Sequence, residues 1–257
     1  MKLRDFDREL VAKEIERFIN EKFEDSGSDK LIIGLSGGID SSVTSALCKN
    51  AVGSENVLGI SLPINESSNR PQKIANQLGI DFEEIDIEDS FLSTLKVLET
   101  KCSHFSDKKV SLGNMKARLR MVFLYYHANS LNGLVVGTGN KSEMQIGYFT
   151  KYGDGAADLF PIGDLYKTQV KEMAKYLNIP EQIIEKKPSA SLWEGQTDEK
   201  EIGYSYSKLD QILMELDTKE EVDDIRDEFG EEAVNDVLEM KKRSNHKRKK
   251  PPICEIS

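Results

Sequence analysis

The chain has 257 residues, 45 acidic against 35 basic, with a formal charge of −10 and a mean hydropathy of −0.48. That length can bury one sizeable α/β core without a staple, and no apolar run reaches the roughly 18 residues a membrane-crossing helix requires. Seven lysines and arginines fall in residues 241–250 (KKRSNHKRKK), leaving 28 cations against 45 anions elsewhere, a net −17 that excludes an extended basic face for nucleic acid but allows one local basic site.

The polar opening MKLRDFDREL lacks a signal-peptide pattern. Three cysteines (Cys48, Cys102, Cys254), odd in number and without CxxC spacing, supply neither a disulfide framework nor a zinc site. A cytoplasmic protein is expected.

Leu3, Phe6, Leu10, Ile15, Phe18, Ile19 and Phe23 recur at helical spacing and predict an amphipathic first helix, closed by the turn DSGSD. Four strands are expected at LIIGLS (from Leu31), NVLGISLPI (from Asn56), IDFEEIDI (from Ile80) and GLVVGTG (from Gly133). Helical patterns separate them: SSVTSALCKNAV after the first, RPQKIANQLGI after the second, GNMKARLRMVFLYYHANSL before the fourth. Such alternation implies right-handed crossovers and a doubly wound parallel α/β sheet, with ligands at the carboxyl ends of its strands. Beyond Gly147 the stretch GYFTKYGDGAADLFPIGDL reads as a long functional loop. Helices then resume at Tyr166 (YKTQVKEMAKYLNI, KEIGYSYSKLDQILMEL, KEEVDDIRDEFG, EEAVNDVLEMKKR), interrupted by KKPSASLWEGQTD. The organisation expected is one unit over 1–257, an α/β core at 1–180 and a helical C-terminal part at 181–257.

The strongest chemical signal is SGGIDSS (residues 36–42), placed between an apolar strand and a helix. Gly37 and Gly38 allow positive φ and close approach, so consecutive N–H groups can face an anion at a helix N-terminus. Ser36, Ser41 and Ser42 add hydroxyls. Asp40 would repel phosphate unless a divalent cation sits between them, which predicts magnesium; the plainer alternative is a glycine turn with a Ser or Asp N-cap. No lysine follows the glycines, so the GxxxxGKS/T phosphate loop is absent.

SGGIDS after the first strand resembles the signature of the N-type ATP pyrophosphatase superfamily, of adenine nucleotide alpha hydrolase-like (Rossmann-like) fold, whose members cleave ATP between the α and β phosphates. With LGNMKARLRM, GTGNKSE and GYFTKYGDGAADLFPIGDLYKTQV it is similar to the ammonia-dependent NAD synthetases. The resemblance implies an ATP site from Gly34, Leu35, Ser36, Gly37, Gly38, Ile39, Asp40, Ser41, Thr138, Lys167 and Ser189. It implies magnesium ligation by Asp40 and Glu143, and deamido-NAD contacts from Arg118, Lys151, Asp158, His246 and Lys247. Asp40, Glu143 and Lys167 are the implied catalytic group.

Each has a plainer reading. Glu143 could be a solvated surface acid, Lys167 a solvated helix start, Asp158 a turn cap, and His246 and Lys247 part of a solvated tail. His127 is expected to pack on its helix, Trp193 and Cys48 in the interior. MVFLYYHANSL is more apolar than one exposed helix face needs, and the resemblance implies a homodimer. It also implies ATP-dependent conversion of deamido-NAD and ammonia to NAD, AMP and pyrophosphate, with free ammonia as donor because 257 residues leave no room for an amidase domain. Two rivals remain: a tRNA-modifying member of the superfamily, which would want a broad basic surface, and a non-catalytic ATP-binding regulatory module.

Overall fold

The computed structural model describes residues 6–64, 68–189, 192–193, 195–218 and 221–256; Leu3 lies outside them. The first helix, α1 (Arg8–Ser26), is capped by the Asp7 carboxylate, which accepts from the N–H groups of Glu9 and Leu10, and it ends at left-handed Gly27. There follow β1 (Lys30–Gly34), α2 (Ile39–Val52), β2 (Val57–Ser61), α3 (Arg70–Leu78), β3 (Asp81–Glu84), α4 (Glu88–Lys101), α5 (Lys109–Ser130), β4 (Gly133–Val136) and α6 (Lys141–Ile146). After a long irregular stretch come α7 (Lys167–Tyr176), α8 (Glu181–Ile184), α9 (Asp198–Ile202), α10 (Tyr206–Thr218), α11 (Val222–Phe229), α12 (Glu231–Arg243) and α13 (Asn245–Arg248).

The four expected strands form, each shorter than its apolar run, because the motif residues that follow turn away into loops. Four helices were not anticipated: α4, whose only buried residue is Phe91, and the one-turn-scale α6, α8 and α13. The run KEIGYSYSKLDQILMEL divides into α9 and α10 at Gly203, which has φ 88°.

Among the described residues the sheet is parallel, ordered β3-β2-β1-β4. Alternation along β1 sends Leu31 and Ile33 toward α1, α2 and α7, and Ile32 toward α4 and α5. Both faces are therefore covered. A third cluster, including Ile146, Tyr206, Leu209, Leu213, Ile225 and Val234, joins α6 to α10, α11 and α12.

The order of strands decides where a ligand can sit. From β1 the chain steps one way through β2 to β3, then returns to the other side of β1 for β4, so the switch point lies between β1 and β4. The crevice outside their carboxyl ends is the position open α/β sheets use for ligands, and the loops leaving those two ends carry SGGIDSS and GTGNKSE.

Candidate active site

The loop after β1 turns on Gly37, whose φ is 68° and whose missing Cβ would lie 2.7 Å from Arg70 Cβ. Gly38 is not left-handed as expected: it is extended (φ −91°) and is itself the N-cap of α2. Asp40 is thereby not the cap but a first-turn residue facing the cavity. Ser41 and Ser42 both donate to the Gly38 carbonyl (3.1 and 2.8 Å). Ser42 is fully buried and outside the cavity lining.

The loop after β4 is built around Asn140, which caps α6. Its Oδ1 accepts from Glu143 N (3.1 Å), the Glu143 carboxylate accepts from Asn140 N (3.3 Å), and Asn140 Nδ2 donates to Asp40 Oδ1 (3.0 Å). One buried amide thus ties the two loops together. Lys167, the first residue of α7, reaches between them: Nζ donates to Asp40 Oδ2 at 2.5 Å and Glu143 Oε1 at 3.1 Å, and its side chain is 1% exposed. The solvated readings of Lys167 and Glu143 are both displaced.

Tyr206 hydroxyl donates to Asp198 Oδ2 (3.2 Å) and, more weakly, to Glu143 Oε1 (3.4 Å). Burial pushes the Glu143 carboxyl up to about 7; Lys167 opposes the shift and Asp40 adds to it. Burial alone would depress Lys167, yet the facing Asp40 and Glu143 charges hold it above the usual lysine range. Lys167 is therefore the fixed cation of the group and Glu143 the member able to take up a proton.

A cavity of about 470 Å³ opens over this group. Ser36, Gly38, Ile39, Asp40, Ser41, Thr138, Glu143, Lys167, Ser189 and Lys247 line it. Gly34, Leu35 and Gly37 do not: Gly34 ends β1, Leu35 is core, and Gly37 serves the turn. Sequence reasoning missed Asn140, Phe160, Lys186, Lys187, Asp198 and Arg248 here. Asn140 sat three residues before Glu143, a capping-box spacing readable in GTGNKSE; Asp198 carried no local signal.

Of the five residues expected to meet the dinucleotide, Lys247 lines the cavity and Arg118, Lys151 and His246 are linked to one another beside it. Exposed Arg118 donates to the Lys151 carbonyl (3.3 Å), and Lys151 Nζ to the His246 carbonyl (2.7 Å). Lys247 Nζ donates to the carbonyls of Gly147 and Phe149, both at 2.7 Å, and Arg248 to the carbonyls of Met144 and Gln145. The basic run is thus a folded clasp at 245–248, not a solvated tail over that stretch. Gly147 must be glycine for the clasp to seat: φ is 72°, and an added Cβ would lie 2.0 Å from Ser244 Cβ. Asp158 stands apart at the sheet edge, where its carboxylate accepts from Val135 N (2.7 Å) and the Tyr125 hydroxyl (3.2 Å).

A profile of the family described as NAD synthase matches residues 11–251. The chain belongs to that family. It is 46% identical over 255 residues to the NH(3)-dependent NAD(+) synthetase of Archaeoglobus fulgidus, covering 96% of this chain and 97% of that protein. It is 47% identical to the protein of the same name from Thermococcus kodakarensis, covering 97% and 98%. Among solved structures it is similar to NMN synthetase from Francisella tularensis (TM-score 0.86, 34% identity, 98% of this chain and all of that one). It also resembles the NH3-dependent NAD synthetase of Campylobacter jejuni (TM-score 0.82, 31% identity, 97% of this chain and all of that one). Membership of the NAD synthase family sets aside the tRNA-modifying and regulatory-module alternatives. Among the described residues no helix is long and apolar enough to cross a membrane.

Proposed function

We infer that this NAD synthase family member joins ammonia to the nicotinate carboxylate of deamido-NAD at the expense of ATP, giving NAD, AMP and pyrophosphate. The observation that carries the reading is Asp40, Glu143 and Lys167 gathered at the sheet's switch point, under a cavity edged by the SGGIDSS loop and the Lys247 clasp. A carboxylate oxygen of the substrate attacks the α-phosphorus of ATP, the bond to the β-phosphate oxygen breaks, and pyrophosphate leaves. Ammonia then adds to the carbonyl carbon of the acyl-adenylate, loses a proton and expels AMP.

No protein nucleophile is required, so the chain acts by placement and charge. Gly38 and the first turn of α2 present N–H groups to phosphate, Thr138 and Ser189 border the nucleotide, and Lys186 and Lys187 offer positive charge along the same wall. Lys167 offsets the carboxylates from behind, keeping that end of the loop from repelling an anion. Arg118, Lys151, His246 and Lys247 mark the dinucleotide side; Asp158 would reach it through the edge of β4. The clasp over 147–149 limits water that would hydrolyse the adenylate.

Asp40 and Glu143 fit a magnesium ion: hard oxygen donors on the cavity wall, in the small number magnesium accepts when phosphates complete its shell. When bound, it supplies charge neutralisation to the phosphate oxygens. The reading also carries a second copy of the chain. On α5, Met121, Leu124 and Ala128 pack on the sheet while Val122 and Tyr126 stay 63% and 67% exposed on the far side, an apolar face suited to a homodimer.

The likeness to an NMN synthetase favours a second reading, in which a mononucleotide carrying the same carboxylate is amidated. One assay separates the two. With ATP, magnesium and ammonium, AMP formation should require deamido-NAD and should fall to background with nicotinate mononucleotide, with glutamine in place of ammonium, or in Asp40→Asn. Faster turnover of the mononucleotide would overturn the dinucleotide reading.

A further inference from the structure

Asp210 on α10 is fully buried, and the chemistry above makes no use of it. A carboxylate withdrawn from water needs donors on every side, and here they come from the two helices that carry the site. Asp210 Oδ1 accepts from Ser142 Oγ (2.5 Å), while Oδ2 accepts from Thr168 N and Thr168 Oγ1 (both 2.8 Å). Ser142 immediately precedes Glu143 on α6, and Thr168 immediately follows Lys167 on α7. The same Ser142 hydroxyl oxygen accepts from Lys167 N at 2.9 Å. Two of the N–H groups that a helix start leaves unpaired are thus satisfied by one network, and its anion sits at the positive end of α7.

We propose that Asp210 is a positioning residue: through Ser142 and Thr168 it fixes the first turns of α6 and α7 against each other, and so holds Glu143 at the distance from Lys167 that keeps the Asp40 and Glu143 carboxylates arranged for a divalent cation. The proposal rests on the reading of the site given above. Each partner in the network belongs to a site residue or to its chain neighbour, and Ser142, Asp210 and Lys167 are buried while Thr168 is partly so.

The test compares Asp210→Asn, which keeps the shape but loses the charge and one acceptor, with Ile212→Ala, which empties core space on the same helix without touching the network. Manganese binding in the presence of α,β-methylene-ATP is read by electron paramagnetic resonance, alongside kcat and the KM for deamido-NAD. Asp210→Asn should weaken manganese binding at least tenfold and lower kcat at least tenfold, with KM for deamido-NAD within twofold. Ile212→Ala should lose stability and bind manganese as the unaltered protein does. Equal manganese binding in Asp210→Asn, or equal weakening in Ile212→Ala, would overturn the proposal. If Asp210→Asn does not fold, Thr168→Val, which removes one hydroxyl donor, should still weaken manganese binding at least threefold, and an unchanged value overturns the proposal. Unaltered protein that binds no manganese and forms no AMP overturns the reading of the site itself, a result distinct from any of these.

Discussion

Lys167→Met removes the one cation held between Asp40 and Glu143 while keeping most of the side chain's length. Removing one partner of a buried ion pair costs about 3–5 kcal/mol. The lower end applies because the Asp40 and Glu143 side chains keep 20% and 16% of their exposure, and Glu143 can discharge by taking a proton. We expect a loss of about 3 kcal/mol near pH 8, read as a urea midpoint lowered by about 1 M or more at unchanged slope. The pH dependence has a definite sign. Burial already lifts the Glu143 carboxyl from an ordinary value near 4.5 to about 7, with Lys167 opposing the rise. Without Lys167 it climbs further, so between its ordinary and raised values the folded chain binds more protons than the unfolded one, and stability declines as pH rises. The loss should therefore be smaller near pH 5.5 than near pH 8. A loss below about 1 kcal/mol near pH 8, or one that grows on acidification, would refute the view that Lys167 balances this pair.

Lys247→Met severs two bonds from the clasp to carbonyls on the 147–149 stretch; kcat/KM for deamido-NAD should fall at least tenfold while the melting temperature moves by only about 1–3 °C, and an equal loss with ATP as varied substrate would argue against a dinucleotide role. Gly137→Ala would place a Cβ 2.3 Å from the Phe160 ring, so denaturant unfolding should register a loss of about 1–3 kcal/mol from overpacking. In the native protein a thiol reagent should modify exposed Cys102 and Cys254 promptly and leave Cys48 untouched until unfolding, since burial both shields that thiol and holds it protonated.

What could be read from the chain was whatever is written locally. LIIGL followed by SGGIDSS carries its strand, turn and helix start in a dozen consecutive residues, and a parallel sheet follows from the strand–helix alternation, whereas the pairing of β1 with both β2 and β4 came only from the structure. Glu143 was legible by motif, and the asparagine three residues before it supplied the reason for its orientation. Asp198, Tyr206 and Asp210 were not legible, because the contacts that tie them to the site, through Tyr148, Glu143, Ser142 and Thr168, lie 42 to 68 residues away, and a carboxylate at helical spacing looks the same whether it faces solvent or a buried lysine. α4 was overlooked although Phe91, Leu95 and Leu98 stand at helical spacing; its stripe is narrow, and Phe91 alone is buried. Asp158 shows the opposite failure: its motif position was clear, but its bond to Val135 N, which extends the sheet edge, depends on where the 147–166 stretch rejoins β4.

The clasp at Lys247 and Arg248 grips main-chain carbonyls about a hundred residues earlier in the chain. Because α12 already packs against α6, most of that loop closure is made by the core, and the clasp adds only a short one held by part-buried bonds from Lys247 and exposed bonds from Arg248. The four residues of α13 include none that is buried, and such a segment opens at lower free energy than the buried strand β1 or helix α2. On the reading proposed above, parting of that one short helix would uncover the 147–149 side of the cavity while the sheet that positions the SGGIDSS loop stays as it was.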